Sequence, residues 1–225
     1  MNKVRIPKII TKDIAYLAGF ISGDGHLCFR KDKHEYSIFC SGNLENERIF
    51  YESFIKNIFI RIFNIVPKTR INIKNKTITL VVYSKNLLFY FSKVCEIPIG
   101  AKSGKVRIPN KFKNFNTLKK AFIQGFVDAD FSLCLKKRYR IVPYYPVISG
   151  SSKSKIIISE IADFLKSCNI SFSLNLNAIQ YDKRFKKGSV IMHSVHVYGK
   201  KNLFKWMKII GFRNNKYVKI FEKLR

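Results

Sequence analysis

Two hydrophobic periods alternate along the chain, and they do so in the same order twice. Ile14, Leu17, Ala18 and Ile21 recur at helical spacing and predict a helix opening at Lys12-Asp13. Residues 26–40 then read as two strands around a polar turn at Lys31 to His34. An amphipathic helix is predicted from Leu44 to Phe63, with Ile49, Phe50, Phe54, Ile58 and Ile62 on its buried side. Pro67 closes it, and residues 69–83 read as a hairpin turning at Asn75-Lys76. In that hairpin Ile71 and Ile73 alternate with Arg70, Asn72 and Lys74, so one face is packed and the other polar. A helix from Lys85 to Cys95 ends the first half.

The second half repeats the plan. Leu118 to Asp130 reads as a helix, and residues 132–149 as two strands whose turn carries Lys136, Lys137, Arg138, Tyr139 and Arg140. Pro143 and Pro146 interrupt the second of these, which is expected to be bent or at a sheet edge. A helix is expected from Ser154 to Cys168. Residues 171–177 alternate, with Phe172, Leu174 and Leu176 inward and Asn175 and Asn177 outward. Lys183, Arg184 and Lys186 fall at a basic hairpin tip, and residues 189–198 return as a strand. His193 and His196 differ in parity, so they point to opposite faces and cannot share a metal. The last segments are a helix from Lys200 and a short basic helix at the end.

One stretch organises both halves. The first copy is Leu17-Ala18-Gly19-Phe20-Ile21-Ser22-Gly23-Asp24-Gly25, and the second is Ile123-Gln124-Gly125-Phe126-Val127-Asp128-Ala129-Asp130-Phe131. Each carries small residues four apart, Gly19 with Gly23 and Gly125 with Ala129, which lie on one helix face. Two such stripes can pack backbone against backbone. Asp24 and Asp130, 106 residues apart, each follow the last small residue. If the helices pair in parallel, two carboxylates meet at the negative ends of two helix dipoles. A hard divalent cation between them relieves the repulsion and can activate water for phosphoryl displacement. One copy alone reads more simply, as a glycine-containing core helix whose aspartate meets solvent. The second copy, with its matching downstream segment, divides the chain into two similar halves.

Composition narrows the partner. The 225 residues hold 43 Lys+Arg against 14 Asp+Glu, a formal net charge of +29 spread through both halves. Such a field points to a polyanion, nucleic acid before an anionic membrane surface. Hydrophobic residues make up 47% of the chain, which excludes a disordered protein. Five cysteines without a C-x-x-C pair do not form a zinc or disulfide pattern, and Cys28 and Cys134 are expected as small core residues. Residues 1–12 lack the apolar region of a signal peptide, and no run reaches the ~20 apolar residues of a membrane span. A soluble, intracellular protein is expected, in the cytoplasm of a prokaryote or in an organelle. On its strands and turns Arg30, Lys31, Lys33, Tyr36, Arg70, Asn72, Lys74 and Lys76 are candidate DNA contacts in the first half. Lys136, Arg138, Arg140, Asn175, Asn177, Lys183, Arg184 and Lys186 are those of the second.

With its paired LAGFISGDG and IQGFVDADF stretches, the sequence resembles the LAGLIDADG homing endonucleases in their single-chain, two-motif form. It departs at Phe131, where that family usually has a small residue, most often glycine. The resemblance implies an α+β protein of two pseudo-symmetric αββαββα repeats, residues 1–109 and 118–225, joined by a linker at 110–117. The motif helices would pack at the centre, and two antiparallel sheets would form a DNA-binding saddle. It implies a monomeric, magnesium-dependent endonuclease making staggered double-strand breaks in a long DNA target, with Asp24 and Asp130 sharing two or three Mg²⁺ ions. Archaeal intron-encoded members look most similar around residues 97–109, where a lysine lies near the scissile phosphate, pointing to Lys102. Lys216 is the matching candidate in the second half. Either lysine could instead merely contact DNA or solvent. Two further readings stay open: a maturase whose partner is intron RNA, and a non-catalytic DNA-binding regulator on the same fold.

Overall fold

In the first half, β1 (Gly25–Arg30), β2 (Glu35–Asn43), β3 (Lys68–Asn72) and β4 (Thr77–Tyr83) pair antiparallel in the order β1-β2-β4-β3. β5 (Phe131–Lys136), β6 (Tyr145–Ser152), β7 (Ser173–Tyr181) and β8 (Ser189–Tyr198) repeat that order as β5-β6-β8-β7. This computed structural model describes residues 4–181 and 188–225. The candidate contacts Lys183, Arg184 and Lys186 therefore lie outside the described residues. The chain is α+β, and it divides into two compact units, residues 1–102, 109–129 and 212–225 in one, 103–108 and 130–211 in the other.

The first unit is built on two helices, α1 (Lys12–Asp24) and α6 (Asn116–Asp130), whose contact is made by glycine. A Cβ on Gly19 would overlap the Phe122 carbonyl oxygen and fall 2.9 Å from the Phe126 nitrogen. A Cβ on Gly125 would overlap the Tyr16 carbonyl oxygen and fall 2.9 Å from the Phe20 nitrogen. The obstacles are backbone, which cannot swing aside. Ile14, Leu17, Phe20, Phe122 and Phe126 are fully buried around the crossing. Thr11 caps α1, accepting from the Ile14 N–H at 3.4 Å.

α2 (Leu44–Ile49), a π-helical segment (Phe50–Ile55) and α3 (Lys56–Phe63) form one continuous run, the single amphipathic helix expected from the sequence. The wider π turn rotates the apolar stripe partway along it. Ile49, expected inside, is 63% exposed, while Tyr51, Ile55 and Phe59 are buried. Asn43 caps α2, accepting from the Glu45 and Asn46 N–H groups at 3.0 and 2.9 Å. At the other end Asn64 turns left-handed with φ 53°, and Arg5 donates to the Ile62 and Arg61 carbonyls. α4 (Lys85–Lys93) also packs in this unit. A short helix, α5 (Asn110–Lys113), occupies part of the expected linker and buries Phe112 completely.

In the second unit, α7 (Lys155–Ser167) and α8 (Lys200–Ile209) pack against the sheet through Ile157, Ile161, Leu165, Leu203 and Trp206. Here the edge placement for β6 and the unbroken alternation of β7 both fail. β6 is an inner strand, not an edge, because Pro146 stands second in it and leaves the rest of the ladder intact. The alternation of β7 breaks at a bulge between Asn175 and Ala178. Asn177 sits there with φ 61°, its N–H donating to His193 Nδ1 at 3.0 Å. One extra residue flips parity, so Ala178 and Gln180, not Asn177, continue the face of Asn175. No helix among the described residues is long and apolar enough to cross a membrane. The final helix, α9 (Asn215–Glu222), returns to the first unit.

The glycine crossing sets a stability prediction. Gly19→Ala and Gly125→Ala should each destabilise by about 3 kcal/mol or more, because backbone must move. Gly100→Ala, at φ 77° with open space around its Cβ, should cost about 1 kcal/mol. Urea unfolding of the three variants against the parent chain measures the difference.

Candidate nuclease site and nucleic-acid face

Asp24 closes α1 and Asp130 closes α6. Each lies five residues beyond the glycine at which the helices touch. Both helices run directly into a strand, so each carboxylate stands at a helix-to-strand joint. The first joint depends on Gly25, where a Cβ would fall 2.6 Å from the Ile21 Cα and carbonyl oxygen. Its φ is −94°, so space and not backbone conformation requires glycine. The second joint accepts Phe131, because its ring turns inward against Gly150 and is 3% exposed.

Lys102 reaches the end of α1. Its ammonium donates to the Ile21 and Ser22 carbonyls at 3.2 and 2.8 Å and to the Gly23 carbonyl. A positive charge is thereby placed on the negative end of the helix, beside Asp24. Tyr51 donates to Asp24 Oδ2 at 3.4 Å. Lys216 is held differently: its ammonium is ion-paired to Glu47 Oε1 at 2.7 Å. Burial, the largest single influence, would lower its pKa, but its interactions with Glu47 and Tyr217 together outweigh this and the net shift is upward. The two lysines that sequence reasoning paired are thus engaged with unlike partners.

A residue that sequence reasoning passed over organises the rest of this unit. Asp128 is fully buried, two positions before Asp130. It accepts from the Tyr16 hydroxyl at 2.7 Å, from the Arg213 N–H at 2.9 and 3.1 Å, and from the Asn214 N–H at 3.1 Å. Asn214, also fully buried, donates through Nδ2 to Glu47 Oε1 at 2.7 Å. Residues 212–225 are so fastened to α1, α2 and α6. Burial pushes the Asp128 carboxyl up to about 6, against the pull of its Tyr16, Arg213 and Asn214 donors. Burial beside Asp128 holds the Tyr16 phenol well above its ordinary range, so it stays a donor. The sequence signal was Asp128 itself, a polar residue on an apolar helix face.

Within each sheet, register separates a helix-packed face from a second one. In the first sheet Arg30, Arg70 and Asn72 lie on the second face, with Ser41, Thr77 and Thr79. Arg30 is ion-paired to Glu35, Arg70 donates to the Tyr83 hydroxyl at 2.5 Å, and Lys76 pairs with Glu45 at 2.9 Å. Lys31, Lys33 and Lys74 are exposed in turns. Tyr36 departs from expectation: it lies on the helix-packed face, stacked on Phe29 at 4.6 Å. In the second sheet Lys136, Asn175 and His196 share the second face, while His193 is buried on the other. Arg138 lies over the Tyr145 ring at 4.4 Å, and Arg140 over Tyr144 at 4.8 Å. Cys28 and Cys134, expected in the core, lie half-buried on these second faces, because each falls one residue out of step with Leu27 and Leu133. Among the described residues no three or more His, Cys, Asp or Glu side chains gather as a metal cage.

The buried Asp128 carboxyl predicts a pH dependence. The unfolded chain titrates it near 4 and the folded protein near 6, so the native state binds its proton more tightly between them. Its contribution to stability therefore falls as pH rises from about 4 to about 6, by roughly 3 kcal/mol, and is level above that. Urea titration of the parent chain against Asp128→Asn from pH 4 to 8 isolates that slope. Tyr16→Phe, which removes a donor to a buried carboxylate, should cost about 1–3 kcal/mol at pH 7.5 in the same measurement.

No family model and no curated protein matches this chain. Solved structures do. One from a study of mesophilic variants of the homing endonuclease I-DmoI superposes at TM-score 0.58 and 19% identity, covering 89% of this chain and 95% of that one. I-DmoI in complex with DNA and manganese gives 0.57 and 20%, over 89% and 96% of the two chains. I-LtrWI, a LAGLIDADG homing endonuclease bound to target DNA, gives 0.57 and 12%, over 95% and 88%. The chain has the fold of the single-chain LAGLIDADG homing endonucleases.

Proposed function

We propose that this protein is a site-specific DNA endonuclease that uses a divalent metal to make a staggered break in both strands of a long, non-palindromic duplex. The observation that carries the reading is the placement of Asp24 and Asp130. Each is the last residue of a helix, and each lies five residues past the glycine contact those helices share. The fold supports it: its solved examples include I-DmoI with DNA and Mn or Ca, and I-SmaMI bound to an uncleaved DNA target with calcium. The net charge of +29 supplies attraction for phosphates. The two repeats are residues 1–109 and 118–225, flanking a connection at 110–117.

The donor chemistry fits Mg²⁺. Asp24 and Asp130 offer hard carboxylate oxygens, each at the negative end of a helix. Mg²⁺ is usually held in that way, by one or two carboxylates plus substrate phosphates. When bound, the ion supplies an activated water and a charge for the leaving oxygen. Asp24 and Asp130 hold it. Lys102 neutralises the end of α1, so that the helix dipole does not oppose charge there. Lys102 and Lys216 meet phosphate charge once DNA draws them from their present partners. Arg30, Arg70, Lys136 and Arg138 bind phosphates, and Asn72 and Asn175 read base edges.

Incubation with a randomised duplex library, with and without Mg²⁺, and then sequencing of the ends tests the reading. Mg²⁺-dependent cuts at one long site are expected. Asp24→Asn and Asp130→Asn should each slow them by about a hundredfold or more while DNA binding persists. Tight binding with no cutting under any divalent ion would contradict the proposal.

A further inference from the structure

The second faces of the two sheets carry unlike chemistry at one matching place. In the first sheet Cys28 pairs with Ser37 and Arg30 with Glu35, and Ser37 faces Tyr83 on β4. In the second sheet Cys134 pairs with Val147 and Lys136 with Tyr145, and Val147 faces Tyr198 on β8. By register, then, Glu35, Ser37 and Tyr83 of the first sheet correspond to Tyr145, Val147 and Tyr198 of the second. The first set is polar and bonded: Arg30 is ion-paired to Glu35, Ser37 donates to Glu35 Oε1 at 3.3 Å, and Tyr83 accepts from Arg70. The second set has a valine in place of the serine and a tyrosine in place of the carboxylate.

Tyr145, Val147 and Tyr198 line an open pocket of about 500 Å³ together with Lys136 and Arg138. Val147, 6% exposed, is the most deeply set, while Tyr198 is 42% exposed. The Tyr145 hydroxyl is turned to Gly199, where a Cβ would fall 3.2 Å from it. Arg138 lies over the Tyr145 ring at 4.4 Å and over the Tyr139 ring at 5.1 Å, which holds its charge beside the pocket. Cationic side chains thus stand around an apolar hollow, on the same face as Asn175. Phosphates match the cations, but the hollow needs an apolar partner. The major groove offers one apolar group on its base edges, the C5-methyl of thymine. Cytosine presents the same group only when it is methylated at C5.

We infer that Tyr145, Val147 and Tyr198 form a specificity pocket for the C5-methyl of a pyrimidine, thymine in unmodified DNA, with Lys136 and Arg138 on the flanking phosphates. The inference rests on the DNA-binding part of the proposed function and not on cutting.

The test is read as binding in Ca²⁺ by the full chain, so it needs no cleavage. Duplexes that the protein retains from a randomised library supply the site. Each thymine is then replaced in turn by deoxyuridine, which lacks only the methyl. At one position the change should weaken binding by the parent chain about fourfold, the effect of one buried methyl. Val147→Thr, which keeps the shape and adds a hydroxyl, and Tyr198→Ala, at an exposed ring, should each erase the difference between thymine and deoxyuridine there. For the parent chain, 5-methylcytosine at that position should bind about fourfold better than cytosine. The inference is overturned if no methyl matters to the parent, or if both variants keep the parent's preference at every position. Specific binding without cutting in Mg²⁺ contradicts the nuclease reading and leaves this inference standing. Binding with no preferred duplex overturns both.

Discussion

Everything in the first unit depends on two backbones touching. At Gly19 and Gly125 the peptide groups of α1 and α6 approach so closely that a single methyl on either would strike a carbonyl of the other helix. Dispersion contacts are individually weak, but a backbone-to-backbone seam multiplies them and leaves no slack. The helices are therefore fixed in register as well as in position. The residue five places past each glycine is, in both helices, an aspartate at the helix end.

The two copies of the motif then diverge in the use of their polar positions. Ser22, two residues before Asp24, is satisfied within its own helix, donating to the Ala18 carbonyl at 2.8 Å. Its counterpart Asp128 gathers donors from Tyr16 and from the backbone of Arg213 and Asn214. A buried carboxylate of this kind is costly unless several donors meet it. Here the donors come from segments far apart in sequence, so the cost is converted into a fastening for the chain's last residues. Lys102 and Lys216 diverge likewise, one on helix carbonyls and one on Glu47. A single chain is free to make such differences, because a change in one half need not appear in the other.

Much of this was legible in the sequence. The order helix, two strands, helix, two strands and helix came from period alone, and the doubled Gly-x-x-x-small stretch located the seam. The features that escaped are those that change phase without changing composition. The π turn at Phe50–Ile55 costs no special residue, so Ile49 looked buried and Tyr51 was overlooked. The bulge at Asn177 needs only one left-handed residue, and asparagine, which tolerates it, reads equally well as a strand residue. Cys28 and Cys134 looked like core residues by type, yet one-residue parity puts them on the other face. Asp128 was visible as a letter of the motif, but its partners lie 112 residues before it and about 85 residues after it, beyond any local pattern.

The central proposal is that Asp24 and Asp130 hold a divalent metal. Anomalous X-ray scattering from crystals of the protein with its selected duplex and Mn²⁺ tests it most directly. The account predicts manganese density about 2 Å from carboxylate oxygens of both residues, against the DNA backbone. Manganese bound at only one of the two, or elsewhere on the molecule, would contradict it.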